Sequence, residues 1–195
     1  MFDLLSKSKI RRRIILLFVY NPNKEYYLSE IARTIGASSG TAQRELNRLL
    51  LADLASFKQR GRQKLYSLNK SYALLNEVGS IIKKTFGVEL ELKKALGKIT
   101  AIQFAFLFGS YVKGGFKSDS DIDLFIIGPV DEDAVYQAVS EVEKTICRTI
   151  NYHLSTASDF LKKLKDRYFY KEILKDHLLI KGDDYEFSRF IKPAN

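Results

Sequence analysis

Apolar and polar positions alternate along the first half of the chain with the period of helices. Ile10, Ile14, Leu17 and Phe18 recur at i, i+4, i+7 and i+8 within residues 6–19, one face of an amphipathic helix. Asn21-Pro22-Asn23 stops it, and Glu25-Tyr26-Tyr27-Leu28 reads as a short extended piece. Ser29 is expected to cap a helix over 30–35 by accepting an orphan backbone N–H, and Gly36 to close it. Ser38-Ser39 opens a longer helix, predicted to run to about Leu54. Ala42, Leu46, Leu49, Leu50 and Leu54 form its apolar face, and Ser39, Thr41, Gln43, Arg44, Asn47 and Arg48 its polar one. Strands are expected over 54–57 and 64–68. They flank the basic turn Lys58-Gln59-Arg60-Gly61-Arg62-Gln63, with glycine at its tip. Residues 71–98 predict a helix with Leu74, Leu75, Val78, Ile81 and Ile82 in a stripe, an interruption at Gly87, and a second short helix over 89–96.

The pattern then changes. Residues 102–108, IQFAFLF, form a continuous apolar run, as a strand buried on both faces requires. Gly109-Ser110 follows at once, and Asp121-Ile122-Asp123 opens a second apolar run over 124–127. A helix over 133–146 and a strand over 148–154 come next. Thr156 and Asp159 read as a capping box for a helix over 160–165. A helix over 168–177, a strand over 178–181, a turn at 182–184 and a closing helix or coil complete the chain. His177 fits the helix C-terminus, where the dipole favours it.

Charge divides the chain in the same place. Residues 1–98 hold 19 Lys/Arg against 8 Asp/Glu, a net of +11, whereas residues 99–195 hold 13 against 15, a net of −2. A basic half suits a polyanionic partner, or is simply a solvated basic surface. Cys147 is the only cysteine. It excludes an internal disulfide, fits a reducing cytoplasm, and reads as a small apolar residue on a helix rather than a nucleophile. The longest apolar candidate for a membrane segment, residues 14–20, is seven residues, far short of a span, so no membrane partner is expected.

The second half carries the clearest chemistry. A glycine directly after a strand lets a phosphate approach the backbone with no Cβ in the way. A serine there offers a hydroxyl and is expected to begin a helix whose free N–H groups attract anions. Asp-x-Asp on a strand puts both carboxylates on one face. Two adjacent carboxylates repel unless a cation sits between them, which suits Mg²⁺ or Mn²⁺ bridging a triphosphate. Lys113 and Lys117 lie between these parts and are phosphate candidates, though solvated lysines fit equally. Asp119 reads as a turn residue close to the pair.

The order of strand, Gly109-Ser110, Gly114-Gly115, Ser118-Asp119-Ser120-Asp121-Ile122-Asp123-Leu124 and strand resembles the signature of the DNA polymerase β-like superfamily, particularly its minimal nucleotidyltransferases. That resemblance implies a mixed α/β domain over 99–195 and NTP as substrate or ligand. Gly109, Ser110 and Lys113 would bind nucleotide, and Asp121 and Asp123 would hold metal and act in catalysis. It also implies a third carboxylate on the next-but-one strand, at the position of Asn151. An amide cannot act as a general base at neutral pH. Three alternatives stand: His153 on the same face accepts the proton, Asp159 does, or the domain binds nucleotide with the substrate's own phosphate as a slow base or no transfer at all.

The stretch LSEIARTIGASSGTAQRELNRLLLADLASFKQRGRQKLYSLN, within residues 8–70, resembles a winged helix-turn-helix DNA-binding domain. In that family the helix after the turn enters the major groove. Ser39, Thr41, Gln43, Arg44 and Arg48 would then face bases or phosphates, and Lys58, Arg60, Arg62 and Lys64 of the wing would meet the backbone or minor groove. Winged helices also serve as protein-interaction modules. The expectation is an α+β chain of three parts: a winged helix-turn-helix over 1–70, a structured helical linker over 71–98, and the nucleotidyltransferase-like domain. Double-stranded DNA, nucleotide, a protein acceptor and a second copy of the chain are the expected partners. Two functions compete: an enzyme transferring NMP from NTP, and a transcriptional regulator whose second domain senses nucleotide or mediates assembly without catalysis.

Overall fold

The structure, a computed structural model, describes residues 8–113 and 120–192. The chain falls into two compact units: residues 1–90 with 143–148, and residues 91–142 with 149–195. The stretch 71–98 is therefore divided between them.

In the first unit α1 (Lys9–Tyr20) begins at Ser8, whose side chain accepts from the Arg11 N–H. It is buried on more sides than its stripe predicts: Ile14, Ile15, Leu16, Leu17, Phe18 and Tyr20 are all in the core. Arg11 is buried with them, and its Nε donates to Glu45 Oε2 at 2.7 Å. β1 (Tyr26–Tyr27) leads into α2 (Leu28–Thr34). That helix starts one residue before Ser29, so the expected serine cap is not made. Tyr27 occupies the cap position instead, and its backbone N–H donates to the Glu30 carboxylate at 2.7 Å. Gly36 closes the turn at φ +65°, a left-handed conformation that a Cβ disfavours.

α3 (Ser39–Leu51) is capped by Ser38, which accepts from the Thr41 N–H at 3.2 Å. It ends three residues earlier than its periodicity suggests, because Leu54 leaves the helix to enter the core before the next strand. β2 (Ala55–Arg60) and β3 (Gln63–Leu68) are longer than expected, and only Gly61-Arg62 remains as the turn. β1 pairs with β3, giving an antiparallel sheet in the order β1-β3-β2. α4 (Leu75–Phe86) buries Val78 and Ile82 against α1. The helix ends at Gly87, whose backbone turns extended, and a Cβ there would run into the Lys83 carbonyl, so the break before α5 (Val88–Gly97) suits a glycine. The Val88 N–H donates to the buried Tyr20 hydroxyl at 3.0 Å.

The second unit is built on a four-stranded mixed sheet in the order β6-β5-β4-β7. β4 (Phe104–Phe108) lies antiparallel to β5 (Ile122–Ile127) and to β7 (Leu178–Lys181), and β5 runs parallel to β6 (Ile150–Ser155). The parallel pair needs a crossover, supplied by α6 (Glu132–Ile146). Every residue of β4 is buried, so the sheet is covered on both faces at this strand. One face is aromatic: Phe104, Phe106, Phe108 and Phe125 pack with Phe160 of α7 (Ala157–Asp166), Ile173 of α8 (Tyr168–Lys175) and Phe187 of α9 (Asp184–Ile191). Phe106 and Phe125 stack at 5.5 Å, and Phe160 meets Phe125 edge-on at 5.2 Å. Such pairs contribute roughly 0.5–1.5 kcal/mol each beyond their buried area. Thr156 caps α7 by accepting from the Asp159 N–H, and His177 closes α8 through a contact of its Nδ1 with the Leu174 carbonyl at 2.9 Å.

Candidate functional site

The aromatic face of the second sheet ends in polar residues. Phe108 is the register partner of Asp123, and Asp123 is the register partner of Asn151. Directly opposed residues share a face, so the face that begins as Phe104, Phe106 and Phe108 finishes with Asp123 and Asn151 at one end of the sheet. Gly109 turns the chain out of β4 at that end. Its φ of +75° is left-handed, and a Cβ there would run into Oδ2 of Asp123. The glycine is thus required both by its backbone and by the carboxylate packed over it.

Burial raises the Asp123 carboxyl above its ordinary value; a hydrogen bond from Asn151 and the charge of His153 oppose the rise, and the nearby Asp121 charge adds to it. Asp121 is exposed and lies just before β5. Asn151 and His153 are exposed on the same face of β6. The His153 ring stacks on Phe125 at 5.9 Å and lies 6.0 Å from Phe108. Among the described residues no cluster of three His, Cys, Asp or Glu gathers. The two aspartates nonetheless suit a hard cation. They are adjacent, mutually repelling, and open toward solvent on one side, the arrangement in which Mg²⁺ takes one or two carboxylates and completes its shell with phosphate and water.

Other expected residues fall differently. Ser110 is half-buried in a turn over 109–113, closed by the Lys113 N–H donating to the Gly109 carbonyl at 3.2 Å. A helix beginning at this serine would run through residues 114–119, which lie outside the described residues. Lys113 pairs with Asp176 at 3.8 Å, past the end of α8. Asp159 is exposed in the first turn of α7, as a residue beside a cap is. Gly114, Gly115, Lys117 and Asp119 lie outside the described residues. Burial pushes the Cys147 thiol up to about 11, which disfavours its thiolate at neutral pH.

In the first unit Ser39, Gln43, Arg62 and Lys64 line one cavity of about 390 Å³ with Tyr27 and Tyr66. Gln43 Nε2 donates to Asn47 Oδ1 at 2.8 Å, and its amide meets the Tyr66 hydroxyl at 3.2 Å. Thr41 is half-buried and Arg44 exposed on the same helix. Arg48 turns back to Glu45 at 3.2 Å. Lys58 is paired with Glu25 at 2.7 Å, and Lys64 lies over the Phe57 ring at 4.1 Å. Arg60 and Arg62 are exposed at the tip of the hairpin.

Residues 91–186 match the family model described as polymerase beta, nucleotidyltransferase. The matched stretch is similar to a nucleotidyltransferase-type domain and takes in most of the second unit. No curated protein matches the chain. Among solved structures, a toxin–antitoxin complex with AMP-PNP is 17% identical at a TM-score of 0.40, covering 53% of this chain and 80% of its own. A tri-AMPylated HEPN toxin with its MNT antitoxin, from Shewanella oneidensis, is 13% identical at 0.34, covering 53% and 81%. Reduced HlyU from Vibrio cholerae is 13% identical at 0.36, covering 44% of this chain and 83% of its own. No helix among the described residues is long and apolar enough to cross a membrane.

Two features of the site lie beyond the sequence motif: the aromatic wall around His153, and the hydrogen bond from Asn151 to Asp123. The spacing of Asn151 and His153 marks their shared face, but only the register of β5 and β6 brings them beside Asp123.

Proposed function

We propose that the nucleotidyltransferase-type domain binds an NTP with Mg²⁺ and transfers its NMP to an acceptor, and that the N-terminal unit is a winged helix-turn-helix that binds double-stranded DNA. The observation that carries the first part is the packing of Gly109 against Asp123, with Asp121 alongside. It supplies an open backbone for phosphate next to a paired-carboxylate site for the cation. Asp121 and Asp123 would hold the ion, Gly109 and Ser110 would receive the phosphates, and Lys113 would exchange Asp176 for a phosphate oxygen. When bound, the ion supplies charge neutralisation for the triphosphate and its leaving pyrophosphate.

In transfer, an acceptor hydroxyl oxygen bonds to the α-phosphorus, the bond to the β-phosphate bridge breaks, and pyrophosphate leaves. The acceptor's proton needs a base. Asn151 is not one, so the proton goes to His153 or to the nucleotide's own phosphate. Because the motif resembles minimal nucleotidyltransferases, a hydroxyl on a partner protein is the acceptor this reading favours. Such a protein works in the cytoplasm, where NTP, Mg²⁺ and DNA meet.

The second reading is a regulator: nucleotide binding without transfer, read out through DNA binding. The neutral Asn151 hydrogen-bonded to Asp123, where a third carboxylate would stand, specifically favours it. Incubation with α-labelled NTP, Mg²⁺ and candidate acceptors separates the two. Transfer that is lost in Asp121→Ala supports the enzyme. Transfer that is absent in the native chain and present in Asn151→Asp supports the regulator.

A further inference from the structure

We propose that Phe169, with His153 beside it, forms the platform on which the base of the bound nucleotide stacks. The inference rests on the nucleotide-site reading and adds what receives the base. Phe169 is the second residue of α8 and is 45% exposed. It is held upright by rings that meet it near the perpendicular: Phe108 at 6.1 Å and 83°, His153 at 5.9 Å and 65°, and Tyr170 at 5.6 Å and 86°. Two of these neighbours tie it to the phosphate and metal candidates. Phe108 immediately precedes Gly109 and is in register with Asp123. His153 lies two residues beyond Asn151 on the same face, close enough to act on the Asp123 carboxyl through its charge.

A phenylalanine ring fixed by its neighbours at the rim of a polar, carboxylate-bearing site keeps part of its apolar surface in water, and a flat partner laid on it would remove that surface from solvent. A nucleotide with its phosphates at Gly109 carries a flat π-surface one sugar away. The exposed ring of Phe169 and the imidazole of His153 beside it offer stacking area and, apart from the imidazole, nothing that reads base edges. The platform should therefore accept any NTP base, favouring purines for their larger rings.

The chain contains no tryptophan, so Phe169→Trp introduces a single indole reporter. Using the full chain with Mg²⁺, ATP and inorganic tripolyphosphate are titrated separately. The proposal expects ATP to quench the indole and tripolyphosphate to leave it unchanged. It also expects Phe169→Ala to bind ATP at least about ten-fold more weakly by calorimetry while binding tripolyphosphate as the native chain does. Equal ATP affinity in Phe169→Ala, equal quenching by both probes, or equal native affinity for both would overturn the platform while leaving the phosphate site standing. If the native chain binds neither probe, both readings fail. Should Phe169→Ala not fold, Phe169→Leu, which keeps the apolar volume and removes the π-surface, is held to the same outcome.

Discussion

At the scale of single residues, two positions decide the most. Gly109 combines a left-handed backbone with a Cβ position taken by Asp123 Oδ2. Gly109→Ala is expected to cost about 1–2 kcal/mol from the backbone alone. By displacing the carboxylate, it should also weaken Mg²⁺–ATP binding by about ten-fold or more; thermal melting and calorimetry on one preparation check both. The other position is the buried pair of Arg11 and Glu45, whose side chains are 7% and 9% exposed. Burial disfavours the Glu45 carboxylate, but the Arg11 hydrogen bond and charge, with help from Arg48 and Ser8, hold it below the ordinary glutamate value.

A depressed carboxyl contributes stability that is present above its unfolded value and lost as pH falls through its folded one. Arg11→Met alone should destabilise by about 3–5 kcal/mol at neutral pH, and Arg11→Met with Glu45→Leu should recover most of that loss. The cost of Glu45→Gln should shrink as pH drops below the ordinary glutamate range. Denaturant melts at neutral and acid pH test both. The sequence shows Gly109, Asp121 and Asp123 plainly, because strand, glycine and paired acids are local signals. It does not show Glu45 pairing with Arg11, which lies 34 residues away on another helix.

At the scale of elements, helix ends were legible wherever a short oxygen-bearing side chain or a glycine governs them. Ser38, Thr156 and Gly36 are such cases. The start of α2 was not, because Tyr27 occupies its cap position and Glu30 reaches back to the chain from three residues on. Ser38→Ala is expected to cost about 1 kcal/mol through the lost cap, read from a chemical melt. The hairpin of β2 and β3 was legible as two strands around a basic glycine tip, but not the partners of its lysines. Lys58 is already paired with Glu25, and Lys64 lies over Phe57. If this hairpin contacts DNA, Arg60→Ala and Arg62→Ala together should lower the salt dependence of binding by about two phosphate contacts, and Lys58→Ala by less than one. Fluorescence anisotropy over a salt series measures this. An unchanged slope in the double variant would remove the hairpin from the interface.

At the scale of the whole molecule, the basic first half and the near-neutral second half correspond broadly to the two compact units. The periodic pattern shows where the chain changes character, near residue 98. It does not show that residues 143–148 join the first unit, where Arg148 donates to the Tyr20 carbonyl and to Asn21 Oδ1, each at 3.0 Å. That association depends on contacts more than 120 residues apart, which no local pattern encodes. Phe169 escaped the sequence for the same reason: nothing near it in the chain marks it as a neighbour of Phe108.

The central claim is that Gly109, Asp121 and Asp123 form a nucleotide and cation site in the C-terminal unit. Calorimetric titration of Mg²⁺–ATP into the full chain, beside Asp121→Ala/Asp123→Ala, tests it most directly. The account predicts one site per chain in the native protein and at least about thirty-fold weaker binding in the variant, since two charge-assisted contacts to the ion are lost. Native protein that binds no nucleotide, or a folded variant that binds as tightly as the native chain, would contradict it.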